Sequence, residues 1–220
     1  MTKLRMRIRQ IRHSLKFPGK QSTATYVKYP VESNFNGKRV LNLGCGSSVY
    51  PSKNVVNLDK YPGVKIDKEW DLAKTPLPFQ DNEFDLIIAN HILEHVEDWW
   101  ECFKELARIV KVGGVIEIWL PGDGGSSQLG YRDHINTINH CSFTGVIGTN
   151  RNKANAWELE QRKSLGDVKF LEYTESVVYV PLNQWWIYIM PNAVQMWMMQ
   201  FLRNTIMEMG YKFIKTKPNA

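Results

Sequence analysis

The order of apolar runs predicts an α/β chain built on a mostly parallel sheet with helices on its faces. Three observations carry this expectation. From residue 38 onward, short apolar runs alternate with helix-period segments in a βαβ rhythm. The runs are apolar almost without interruption, as strands covered on both faces must be. They end on glycine or on an acid, the residue types that suit ligand-binding strand ends.

The elements follow in order. "RVLNL" (39–43) is a strand run closed by Gly44, and "VVNLD" (55–59) is a second, followed by Pro62-Gly63. "FDLIIAN" (84–90) is a third and "VIEIWLP" (115–121) a fourth. Between these last two, "DWWECFKELARIV" (98–110) places Trp99, Phe103, Leu106 and Val110 on one helical face. Asp98 is its N-cap, and Gly113-Gly114 follow its end. "VKFLEY" (168–173) and "YKFIKTK" (211–217) alternate as strands do. Residues 122–165 are first Gly-rich, then rich in His, Asn and Asp without a period, as expected of a loop region beside a site.

One domain is expected from 220 residues with an ordinary apolar fraction of 43%. The three cysteines, Cys45, Cys102 and Cys141, have no metal-ligand spacing and cannot all pair, which points to a reducing, cytoplasmic setting. No secretory signal is expected, because the N-terminus has no apolar core. Residues 1–20 carry seven Lys and Arg and no acid. The remaining 200 residues hold 21 Lys and Arg against 22 Asp and Glu, so a basic arm is joined to a neutral body. Leu4, Ile8, Ile11 and Leu15 share one helical face of the arm and Arg5, Arg9, Arg12 and Lys16 the next, a pattern that suits a membrane surface, a solvated terminal helix packed on the body or an unstructured tail, and less well an organelle transit peptide. The body, 21–220, is expected to be a single domain with variable regions at 122–165 and 176–209.

The stretch "NQWWIYIMPNAVQMWMMQF" (183–201) lies in a run without charge from Ser176 to Leu202. Pro181 and Pro191 interrupt it, and Asn and Gln side chains punctuate it, so it is not read as a membrane span. Asn192 and Gly210 bound an amphipathic helix whose polar face holds Gln200, Arg203, Asn204 and Glu208. Its Trp- and Met-rich side packs on the sheet, walls an acceptor site or dips into lipid.

The strand ends suggest chemistry. Gly44 and Gly46 allow close backbone approach to a ligand. Asp59 can accept two hydrogen bonds from ribose hydroxyls, and Asp71 one from an exocyclic amino group. A nucleoside with a short charged tail fits all three. The stretches "VLNLGCG", "VVNLDKYPGV", "DLAKTPLPFQDNEFDLIIANHILEHV" and "RIVKVGGVIEIWLP" follow one another in the order of the motifs of class I S-adenosylmethionine-dependent methyltransferases. Over residues 38–121 the chain resembles that family.

The resemblance implies a Rossmann-like methyltransferase fold: a mostly parallel seven-stranded sheet, its last strand antiparallel, with helices on both faces. It implies S-adenosyl-L-methionine as cofactor. Gly44, Cys45 and Gly46 would pass under its methionine part, Leu58 and Asp59 would meet the ribose, and Asp71 and Leu72 would flank the adenine. Asn90 and His91 would border the methyl-donor end. Two departures stand out. Asn42 replaces the usual acid, and only residues 44–53 separate the first strand from Asn54, so the usual first helix is expected to shrink to a turn. This shortened form resembles a subgroup that accompanies glycan-assembly enzymes.

Methylating a hydroxyl or amine often requires removing a proton, so a base is sought beside the donor methyl. The candidates are His91, His134 and Asp133, with His140, Tyr131 and Arg132 nearby in sequence. His95 follows His91 at i+4, but no third ligand is evident, and no metal set is expected; His95 is read as locally hydrogen-bonded. The absence of an Asp-Pro-Pro-Tyr-type tetrapeptide and of a Pro-Cys pair disfavours nucleic-acid acceptors. The expected acceptor is a small molecule or glycan, lipid-linked if the arm meets a membrane surface. The alternatives are an RNA methyltransferase gripping phosphates with the arm, and a non-catalytic cofactor-binding partner protein.

Overall fold

The structure is a computed structural model and describes residues 35–62, 65–122, 126–143, 146, 160, 161, 163–166, 168–179, 190, 191, 194 and 208–216. The basic arm and most of the Trp- and Met-rich stretch lie outside the described residues.

The strands are β1 (Val40–Leu43), β2 (Val55–Asp59), β3 (Lys68–Glu69), β4 (Phe84–Asn90), β5 (Val110–Pro121), β6 (Lys169–Tyr179) and β7 (Glu208–Thr216). Six of them run four residues or more. With the two-residue β3 at one edge, they form a mixed sheet in the order β3-β2-β1-β4-β5-β7-β6. From β3 to β5 all neighbours are parallel, and β7 runs antiparallel to both β5 and β6. The parallel strands therefore deliver their carboxyl ends, Leu43, Asp59, Glu69, Asn90 and Pro121, to one edge.

Side chains of successive strand residues point to opposite faces, and here both faces are covered. Leu41, Leu43, Ile87 and Ala89 join one buried cluster. Val40, Leu86 and Ile88 join another with Phe35, Val55 and Trp119. This is why the runs read as continuous rather than alternating.

Helix α1 (Trp99–Ile109) lies on the first face and buries Cys102, Phe103, Leu106, Ala107 and Ile109. Asp98 caps it as expected, its Oδ1 accepting from the Glu101 N–H at 3.0 Å. Phe103 packs against Phe143 and Phe213 with ring centroids 5.6 and 5.3 Å away. The helix ends at Ile109, close to the expected end, and β5 begins at once with Val110 paired to Phe84, ahead of the expected start at Val115. The last carbonyls of the helix are taken up by other segments. Arg108 O accepts from the Asn82 N–H and Ile109 O from the Glu83 N–H, while Lys215 Nζ donates to Val110 O at 2.8 Å. A short second helix, α2 (Ser126–Leu129), follows β5.

Three expectations are corrected. β3 was not anticipated, because two residues without apolar character carry no period to read. β6 runs on to Tyr179, beyond Tyr173. Glu208 and Gly210 begin β7 rather than ending a helix, since Glu208–Pro121 and Gly210–Trp119 are strand pairs. The rest of that expected helix lies outside the described residues. The shortened crossover holds as expected: residues 44–54 contain turns and no helix.

Candidate active site

The crossover is shaped by amides. Asn42 Nδ2 donates to Ser48 O at 2.8 Å and to Asn57 Oδ1 at 3.0 Å. Asn57 Nδ2 in turn donates to Tyr50 O and to Asp67 Oδ2. Both asparagines are buried. A neutral amide can donate to the loop carbonyl and to its neighbour's oxygen, which a carboxylate cannot. The departure from an acid at Asn42 thus goes with the missing first helix.

Gly44 has φ +59 and Gly46 φ +47, both in the left-handed region. A Cβ on Gly44 would lie 2.2 Å from Ile92 Cγ1, whereas one on Gly46 would meet nothing within 4 Å. Gly44 is needed for close packing and Gly46 leaves open space. Asp59 is held by backbone donors: its Oδ2 accepts from the Gly46 N–H at 2.8 Å and its Oδ1 from the Tyr61 N–H at 3.0 Å. Each oxygen keeps a second lone pair for a ligand hydroxyl. Asp71 follows β3, so it too stands at a strand's carboxyl end, its Oδ1 bonded to the Ala73 N–H.

These residues converge on a cavity of about 540 Å³. Gly44, Gly46, Leu58, Asp59, Asp71, Leu72 and His91 line it, as the sequence suggested. Tyr61, Trp70, Ile92, His95, Val96, Asp133 and Ile135 complete the wall. An adjoining hollow of about 240 Å³, on the far side of the glycine turn, takes Cys45 and Asn90 together with Gly44, Gly46 and His91. Asn90 Oδ1 is buried and accepts no hydrogen bond. Cys45 is buried, and burial with the nearby Asp59 charge pushes its thiol up to about 11, so it is neutral. A larger hollow of about 870 Å³ around Arg39, Phe79 and Glu83 lies at the amino ends of the strands, away from this chemistry.

His91 departs from the role its position suggested. It has φ +50, strained for a residue with a Cβ. Its Nε2 lies 2.8 Å from Glu208 Oε1 and its Nδ1 3.3 Å from Glu94 Oε1. Burial alone would lower its pKa, but the two carboxylates outweigh burial and push it up to about 9. At neutral pH His91 is a cation with both nitrogens engaged, which leaves no lone pair to accept a proton. Glu94 and Glu208 were not singled out from the sequence, although Glu94 at i+3 from His91 was a signal within reach.

His134 and Asp133 do come close to His95. Its Nδ1 lies 3.0 Å from Asp133 O and 3.3 Å from Asp133 Oδ2, and its ring meets that of His134 edge-on at 4.7 Å. Tyr131 stacks on His134. His140 is described in its backbone only.

Residues 41–118 match the family described as a methyltransferase domain. An uncharacterized methyltransferase of Mycobacterium leprae is 26% identical over 119 residues, covering 45% of this chain and 44% of its own length. The chain spans less than half the length of such curated relatives. The crystal structure of a SAM-dependent methyltransferase from Archaeoglobus fulgidus has the same fold, with TM-score 0.53 and 12% identity over 96% of this chain and 92% of that one. A complex of the Haloferax volcanii Trm112 activator with a methyltransferase reaches TM-score 0.47 at 15% identity, over 82% and 83%. Residues 41–118 are thus similar to a methyltransferase domain, and the fold is that of a structure whose cofactor is S-adenosyl-L-methionine. The residues fit that cofactor, for the cavity is of small-ligand size, the glycine turn is open, and Asp59, Asp71 and the orphaned Asn90 oxygen supply the acceptors a nucleoside and an ammonium need.

Proposed function

We propose that this protein transfers the cofactor's methyl group to an oxygen or nitrogen of a small-molecule or glycan acceptor. The observation that carries the reading is the convergence of the Gly44–Gly46 turn, Asp59 and Asp71 on one cavity whose open side holds His91, His95 and Asp133. When bound, the cofactor supplies an electrophilic methyl on its sulfonium. In this reading the chain supplies position. Asp59 holds the ribose, Asp71 and Leu72 the adenine edge, and Gly44, Cys45, Gly46 and Asn90 the methionine part. His91, fixed between Glu94 and Glu208, sets the floor of the acceptor side, and Asp133 and His134 are the groups left to orient the acceptor.

Titration with S-adenosylmethionine tests this. The parent binds one equivalent, and Asp59→Ala weakens binding about tenfold to a hundredfold, as loss of charge-assisted hydrogen bonds does. Equal binding by parent and variant would refute the site. A labelled-cofactor screen of sugars, lipid-linked glycans and RNA then finds the acceptor.

Kinship with the glycan-associated subgroup rests on the shortened crossover and the Asn42 network. We further propose a single domain over 21–220, with helices on both faces of a seven-stranded sheet. On this reading the arm 1–20 brings the otherwise neutral, cytoplasmic body to an anionic membrane face, where a lipid-linked acceptor would sit. No helix among the described residues is long and apolar enough to cross a membrane. The seven charges of the arm also suit a second reading, RNA methylation. It predicts RNA binding that falls steeply with salt and vanishes when residues 1–20 are removed.

A further inference from the structure

Three potential metal ligands meet where the sequence showed only two histidines four residues apart. Glu94 and His95 come from the 3-10 turn after β4, and His134 from the loop after α2. One donor atom of each lies within 4.8 Å of the other two. Three features of this cluster are those of a metal site rather than of a polar surface.

The Glu94 side chain is 1% exposed, yet among the described residues neither carboxylate oxygen accepts a hydrogen bond. Its Oε1 lies 3.3 Å from His91 Nδ1, an ion-pair contact. A buried carboxylate oxygen without a hydrogen bond is costly; His91 stands beside Oε1, and among the described residues Oε2 has no hydrogen-bond donor. Then there is the setting of the two imidazoles. His95 Nδ1 lies 3.0 Å from the carbonyl oxygen of Asp133, and His134 Nδ1 lies 3.2 Å from that of Gln128. A carbonyl can only accept, so each Nδ1 carries the proton. That leaves Nε2 of each ring as the nitrogen that can face an ion. Metal-ligating histidines are held in this way, the outer nitrogen donating to a carbonyl or carboxylate. Asp133 Oδ2, 3.3 Å from His95 Nδ1, adds the carboxylate form of the same support. Finally, the cluster adjoins the cofactor cavity, since His95 and Asp133 are part of its wall.

We propose that Glu94, His95 and His134 bind one divalent first-row transition ion. Two imidazoles and one carboxylate suit Zn²⁺ and its neighbours rather than Ca²⁺ or Mg²⁺, and three protein ligands leave a coordination position open. Bonds of about 2.1 Å to the ion require donor atoms about 3 to 3.5 Å apart. The three donors therefore draw together when the ion binds. Resting on the methyl-transfer reading, the open position takes an acceptor hydroxyl. The ion lowers its pKa, and its proton passes to bulk water.

The test uses untagged full-length protein, stripped with a chelator and titrated with Co²⁺ alone. One equivalent should bind and give visible d–d absorption of a low-coordinate nitrogen and oxygen site, and Zn²⁺ should displace it. His134→Ala, which changes a loop residue, should weaken Co²⁺ binding at least tenfold, while its thermal melt and its S-adenosylmethionine affinity stay at parent values. Glu94→Gln should act likewise on Co²⁺. No stoichiometric Co²⁺ binding by the folded parent, or equal binding by parent and His134→Ala, overturns the site. Cofactor titration is read separately, so failure of the metal site and failure of the methyltransferase reading give different results.

Discussion

Replacing Gly44 with alanine tests how the glycine turn is built. The added Cβ would sit 2.2 Å from Ile92 Cγ1, 2.5 Å from its Cδ1 and 2.8 Å from its Cβ. A rotamer change relieves the first two contacts but not the third, because Cβ moves only with the backbone. That backbone continues directly from His91, itself at φ +50, so the strain spreads into the cavity wall. The left-handed φ of Gly44 costs an alanine about 1 kcal/mol, and overpacking of this kind costs about 1–3 kcal/mol. The expected loss is about 2–4 kcal/mol, a large share of the stability of an ordinary domain. Gly46→Ala is the matched control. It has a similar φ but open space around the new Cβ, so its stability should fall by only about 1 kcal/mol while cofactor binding falls sharply. Urea denaturation and cofactor titration on both variants separate the two effects. If Gly44→Ala unfolds within about 0.5 kcal/mol of the parent, the close packing of the turn on Ile92 is wrong. If Gly46→Ala binds cofactor like the parent, the open space is not where the ligand lies.

Other expectations follow from single contacts. Asp98→Ala removes the acceptor for the Glu101 N–H and should cost about 1 kcal/mol in urea denaturation, with cofactor affinity unchanged. Glu105 is partly desolvated, which would raise its pKa, but bonds from Arg108 and the Leu77 N–H hold it below the usual glutamate range. A depressed folded pKa means stability present above about pH 4.3 and lost as pH falls through the folded value. Acid titration of the parent should show this loss, and Glu105→Gln should flatten it. Deleting residues 1–20 should abolish binding to anionic vesicles, measured by co-sedimentation, and leave cofactor binding intact. Parent protein that ignores such vesicles would remove the membrane reading.

The local grammar of the chain was enough for the strand-end glycines and acids that line the cavity. Gly44 and Gly46 follow an apolar run, Asp59 ends the next, and Asp98 precedes a helix-period segment, all readable because strand ends and caps depend on neighbours in sequence. The surroundings of His91 were not readable in the same way. His91 stood at a strand end and looked like a free base, yet its partner Glu208 is 117 residues away. β3 carried no apolar period, so only its pairing with Leu58 and Asp59 in β2 defines it.

The sequence by itself determined strands β1, β2 and β4, the glycine turn, the strand-end acids Asp59 and Asp71 and the capped helix, because each rests on periodicity or on a backbone conformation a few residues long. Only the tertiary structure decided that β7 inserts between β5 and β6, that Glu208 thereby reaches His91, and that Glu94, His95 and His134 share one spot. Those are meetings of distant segments. What brings them together is the sheet order and the burial of its two faces, and no local pattern encodes that.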